Sequence, residues 1–100
     1  MNIGSLYTVK KYFWLIFPTK EIAAYAFAVR TLTSGRGEAE AYAEYWSKKF
    51  NCNVSYISPN SIFCLLEKDE KYCKILSTNG ELGWIILANW YKNDIEEVKV

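Results

Sequence analysis

The groups in this chain best able to do covalent or acid–base chemistry are three cysteines, Cys52, Cys64 and Cys73, and several runs of carboxylates; histidine is absent. Without histidine the chain lacks the commonest general base and the usual metal ligand. A cysteine nucleophile needs a depressed pKa and a base beside it. Cys64 and Cys73 alternate with apolar residues, which reads as strands holding buried, inert thiols. Cys52, in Phe50-Asn51-Cys52-Asn53, is less constrained by its pattern and is also read as structural. There is no C-x-x-C spacing, and an odd count argues against a secreted disulfide framework. Reduced thiols in a cytoplasmic setting are therefore expected.

The carboxylates fall into the runs Glu38/Glu40/Glu44, Glu67/Asp69/Glu70 and Asp94/Glu96/Glu97. A catalytic pair needs two carboxylates converging in one pocket with separated pKa values. Runs of this kind read instead as solvated faces. Ser34-Gly35-Arg36-Gly37 is glycine-rich but lacks the lysine and the spacing of a phosphate loop. It reads as a hinge, although backbone N–H groups at a helix start after Gly37 could hold an anion. No catalytic residue, metal or cofactor is expected.

What stands out is the aromatic content, with four Trp, eight Tyr and five Phe in 100 residues. That is more ring surface than a domain of this size readily hides, so part of it is expected at an interface. Tyr7, Tyr72, Trp84, Trp90 and Tyr91 are the candidate partner-binding residues, with core packing as the alternative for the same rings. Stacking on single-stranded nucleic acid would want basic residues between rings, and only Lys71, Lys74 and Lys92 lie near them. The net charge of +1 gives no electrostatic case for nucleic acid or a membrane surface.

The elements that must position these rings can be read from periodicity. Residues 5–17 favour strand, with a bend at Lys10-Lys11 and a stop at Pro18. Residues 20–32 read as an apolar helix capped by Thr19, and residues 31–37 as a flexible break. Residues 38–50 give the clearest helix: Ala39, Tyr42, Ala43, Trp46 and Phe50 form one stripe. Its acidic first half and basic last turn complement the helix dipole. Strands follow at 53–57, 62–68, 71–78, 81–88 and 95–100, with a short turn at 89–93. A tight turn at Asp69-Glu70 would pair Lys68 with Lys71. It would put Ile62, Cys64, Leu66, Cys73 and Ile75 on the core face, joined by Ile85 and Leu87. Phe63, Leu65, Tyr72, Leu76, Trp84 and Ile86 would then form a second apolar face, to be covered by the 38–50 stripe, by helix 20–32 or by a second subunit. Asn79-Gly80 signals a hairpin whose two central residues both take positive φ. The apolar stretch 12–17 is too short for a signal peptide, and no run approaches a bilayer span. One domain is expected over residues 1–100.

Residues 62–98 resemble the C-terminal part of a bacterial Src-homology-3-like barrel. The carrying residues are Asp69-Glu70-Lys71-Tyr72-Cys73-Lys74-Ile75, Asn79-Gly80-Glu81-Leu82-Gly83-Trp84-Ile85, Asn89-Trp90 and Ile95-Glu96-Glu97-Val98. The whole chain also resembles small accessory proteins of marine bacteria or phages. The barrel resemblance implies an α+β, mainly β fold: a small antiparallel barrel whose first strand is Leu6-Tyr7-Thr8-Val9, with residues 19–50 as a helical insertion in the first long loop. Gly83 would let its strand bend into barrel closure. In peptide-binding members, aromatic residues line a groove for proline-rich ligands. Tyr72, Trp90 and Tyr7 match such positions here, whereas the proline expected near Ile86 is absent. The function expected is a non-catalytic protein-interaction or accessory module that self-associates as a homodimer. The alternatives are a nucleic-acid-binding barrel and, behind it, a cysteine-dependent enzyme.

Overall fold

The computed structural model describes residues 2–29, 34–87 and 92–99. In chain order the elements are β1 (Leu6–Val9), β2 (Phe13–Ile16), α1 (Lys20–Ala28), β3 (Ser34–Gly35), α2 (Ala39–Phe50), β4 (Ser55–Ile57), β5 (Ile62–Asp69), β6 (Tyr72–Ser77), β7 (Leu82–Ile86) and β8 (Ile95–Glu97). A 3₁₀ turn at Lys92–Asp94 leads into β8. The fold is α+β and mostly antiparallel strand, as expected. The strands form a five-stranded sheet in the order β7-β6-β5-β1-β8 and a three-stranded sheet in the order β3-β2-β4. The larger sheet does not close into a barrel. Among the described residues its edge strand β7 pairs with the end of β2 through a single bridge, Phe17 and Trp84, which exchange backbone hydrogen bonds of 2.8 and 2.7 Å.

β2 organises the interior because every one of its residues is buried. Alternation sends Trp14 and Ile16 to one side and Phe13 and Leu15, with Phe17 beyond them, to the other. The first side packs with Tyr7, Val9, Ile57, Phe63, Leu65, Cys73, Ile75 and Ile85, between the two sheets. The second packs with Ala23 and Ala26 of α1, Ala39 and Ala43 of α2, Val54 and Ile86. Strand residues buried on both faces read as an unbroken apolar run, which is what residues 12–17 are.

The face assignment of β5 is the reverse of the one expected from sequence. Phe63 and Leu65 join Cys73, Ile75 and Ile85 in the core, whereas Ile62, Cys64 and Leu66 face outward and are half-buried. The cause is register. The turn sits at Glu70-Lys71, so Asp69 pairs with Tyr72, and a bulge at Leu66 then brings Leu65 opposite Ile75. That differs by one residue from the expected pairing of Cys64 with Ile75, and a one-residue slip exchanges the two faces.

The next hairpin also differs. Gly80 alone of the two turn residues has positive φ, at +87°. The Gly80 N–H donates to Ser77 O at 3.0 Å, and the Ser77 N–H to Glu81 O at 2.8 Å. This is the three-residue connection with a left-handed glycine, rather than a two-residue turn. Residues 34–35 of the expected flexible break form β3 instead, buried against β2.

The helices begin close to where the sequence places them, but α1 ends at Ala28, with Val29 as its C-cap, short of the expected residue 32. Thr19 caps α1 by accepting from the Ile22 N–H at 3.1 Å. Asn51 ends α2 in the left-handed region at φ 51°. Ser47 ties the end of α2 to the start of β4, accepting from the Val54 N–H at 2.9 Å. The bend at Lys10-Lys11 is held by the buried Asp94, whose carboxylate accepts from the Lys11 and Tyr12 N–H groups at 2.7 and 3.0 Å.

Candidate functional site

The five rings singled out from sequence end up in different places. Tyr7 is 4% exposed, stacked on Phe63 at 5.9 Å between ring centroids, with its hydroxyl bonded to the backbone of Asn2. It is a core residue and offers no surface. Tyr72 and Trp84 share the outer face of β6–β7, both half-buried in the cluster beneath the helices. Lys71, whose Nζ lies 4.2 Å from the Phe27 ring and 5.9 Å from the Tyr72 ring, and Lys20, 5.9 Å from the Trp84 ring, close over them from above. Lys20 is also ion-paired with Asp69. Trp90 and Tyr91 lie outside the described residues.

The roof over this face is therefore largely α1. The stripe of α2 packs instead on β2 and β4. Of that stripe Ala39 and Ala43 are buried, Trp46 and Phe50 half-buried, and Tyr42 39% exposed. Among the described residues nothing covers the part of the large sheet beyond α1. Leu82, Leu76, Cys64 and Leu6 sit opposite one another across β7, β6, β5 and β1, with Leu82 54% and Leu76 and Leu6 41% exposed.

The most developed surface lies on α2 and was not singled out from sequence, where Tyr45 falls outside the apolar stripe. A chain of ring contacts runs from the core outward. Phe17, fully buried, meets Phe50 edge-on at 6.3 Å; Phe50 stacks on Trp46 at 5.2 Å; Trp46 meets Tyr45 edge-on at 4.9 Å. Tyr25 of α1 joins Phe50 at 5.6 Å, and Tyr42 stacks on Phe13 at 5.7 Å. Tyr45 is 57% and Tyr25 59% exposed. Tyr42, Tyr45 and Trp46 line a shallow groove of ≈ 650 Å³ together with Arg36, Gly37, Glu38 and Ala41. The Arg36 guanidinium is turned over the Tyr12 ring at 5.4 Å. The rings are thus anchored at the base and open at the tip, the arrangement that lets aromatic side chains bind with little ordering cost. The other flank of α2 is acidic, with Glu40 and Glu44 beside Tyr56 and Ser58 and with Glu38 bordering both sides.

The thiols are unpaired. Burial pushes the Cys73 thiol up from its ordinary pKa, against the opposing charge of Lys68, and burial likewise raises Cys52. Neither is poised as a thiolate at neutral pH. Among the described residues no group of acidic or thiol side chains converges in a way that could hold a metal ion, and no helix is long and apolar enough to cross a membrane. No family model matches the chain, no curated protein is similar to it, and no solved structure matches its fold.

Proposed function

We propose that this protein is a non-catalytic interaction module that docks a protein through the outward rings of α2. The observation that carries this reading is the ring chain from Phe17 to Tyr45, fixed in the core and ending in an open groove. Tyr and Trp held in this way are the residue types on which protein contacts concentrate their energy. The raised pKa of the Cys52 and Cys73 thiols supports a non-catalytic role, and unpaired cysteines support a cytoplasmic one. The glutamates along the flank of the same helix would repel phosphates, which ranks a protein ahead of nucleic acid.

The Src-homology-3-like relationship belongs to the same proposal. A first strand paired with both β5 and the closing strand β8, followed by the β5–β6–β7 meander, supports it. The long connection after β1 would then carry β2, β3 and β4 as well as the two helices.

A photo-crosslinking residue in place of Tyr45 tests the docking surface in cells. A discrete protein adduct from this position, absent when the same residue replaces the exposed Lys68 on the β5–β6 hairpin, is the expected result. No adduct at Tyr45, or an adduct to nucleic acid, would remove the reading.

A further inference from the structure

Resting on that interaction reading, we propose that the occupant of the α2 groove is a second copy of this chain, its α2 running antiparallel across a two-fold axis between Tyr42 and Tyr45. The argument begins with the spacing along α2. The groove residues Glu38, Ala41, Tyr42, Tyr45 and Trp46, with the exposed Lys49 just beyond them, follow one another at intervals of three, one, three, one and three. The series has the same spacing from either end. At helical periodicity these positions form one continuous stripe. An isologous interface requires that residue i meet residue j and j meet i. Antiparallel pairing about the centre of this stripe does so with complementary chemistry at every step. Tyr42 meets Tyr45 of the second copy. Ala41, the one small side chain in the groove, leaves room for Trp46 of the second copy. Glu38 meets Lys49 of the second copy, and symmetry supplies each contact twice.

The charges support the same arrangement. On the far side of α2, Glu44 and Lys48 satisfy each other within the helix at 3.3 Å. Among the described residues, Glu38 and Lys49 form no ion pair within the chain. Glu38 precedes the helix and makes no capping bond with its side chain. Glu38, which borders both the groove and the acidic flank, and Lys49 are therefore left opposite in sign at opposite ends of the stripe.

The contact is small. Twelve helical residues span about 18 Å, so one helix pair buries less than a standard stable interface. The expected behaviour is a monomer–dimer equilibrium with Kd in the micromolar range. Sedimentation equilibrium of the full chain from about 1 μM to about 1 mM should show the mass rising toward twice that of the chain. Glu38→Lys and Lys49→Glu should each remain monomeric over the concentrations where the parent dimerises, because each places like charges at both ends. An equimolar mixture of the two variants should recover the dimer, since every altered residue then meets an opposite charge. The double variant should also dimerise alone, which separates interface loss from misfolding. A parent that stays monomeric at the highest concentration, single variants that dimerise like the parent, or a mixture that does not recover would each overturn the proposal. If Tyr45 crosslinks a different protein while the parent is monomeric, the interaction reading stands and self-association falls. If Tyr45 crosslinks nothing, both fall.

Discussion

Cys73 lies fully buried in the cluster between the sheets, with Leu65, Ile75 and Ile85. Burial disfavours its thiolate, so its folded pKa stands above the value it has when unfolded. The consequence for stability has a definite sign. Below the unfolded thiol's pKa both states hold the proton and the group contributes no pH dependence. Above about pH 8.5–9 the unfolded chain loses the proton first, so stability falls as pH rises toward the folded pKa. The slope from one such group is at most about 1.4 kcal/mol per pH unit. Cys73→Val removes the thiol and keeps an apolar side chain. Urea unfolding at pH 7 and pH 10 should show a smaller alkaline loss in the variant than in the parent. Equal losses would mean that Cys73 ionises as freely folded as unfolded. Asp94 acts at the same scale. Its carboxylate bonds two backbone N–H groups some eighty residues away, at the β1–β2 bend. The sequence placed Asp94 in a solvated acidic run, because nothing local to it marks a partner so distant along the chain.

At the scale of elements, the decisive contact is the crossing of β2 and β7. A Cβ at Gly83 would stand 2.4 Å from Phe17 O and 2.6 Å from Ile16 Cγ2. Gly83 was legible as a glycine its strand needs, but the bend expected of it is in fact a close approach of two backbones. Gly83→Ala should destabilise by about 2 kcal/mol or more, since neither the carbonyl nor the buried Ile16 can move aside freely. A thermal midpoint equal to the parent's would show that the two sheets do not meet there. The start of α1 and both ends of α2 were readable because caps and charges act within one turn: Thr19, Glu40, Lys48 and Lys49 do what their types predict, whereas the end of α1 carries no such charge and was placed four residues too late. The faces of β5 were not. The bulge at Leu66 and the turn at Glu70-Lys71 are compatible with many local sequences, and together they shift the pairing by one.

At the scale of the molecule, β2 is shared by both cores, so the two apolar clusters should not unfold independently. Leu15 lies in the cluster under the helices and Leu65 in the one between the sheets. Leu15→Ala and Leu65→Ala should each cost about 2–5 kcal/mol. In each variant, near- and far-ultraviolet circular dichroism should report one coincident transition. Separate transitions would mean that β2 does not couple the layers. The exposed row of Leu82, Leu76 and Leu6 shows that the apolar surface of the large sheet exceeds what a nine-residue α1 can roof.

The order of residues alone determined the number and type of most elements, the apolar character of residues 12–17, three of the four helix termini and the want of histidine chemistry. These follow from periodicity and from interactions reaching a few residues along the chain. Which ring is core and which is surface was decided by tertiary structure. Tyr7 and Tyr45 are the same residue type in amphipathic surroundings, yet one lies under a sheet and the other stands at the mouth of a groove. Burial depends on strand register and on which helix reaches which face, and both are set by packing between segments far apart in sequence.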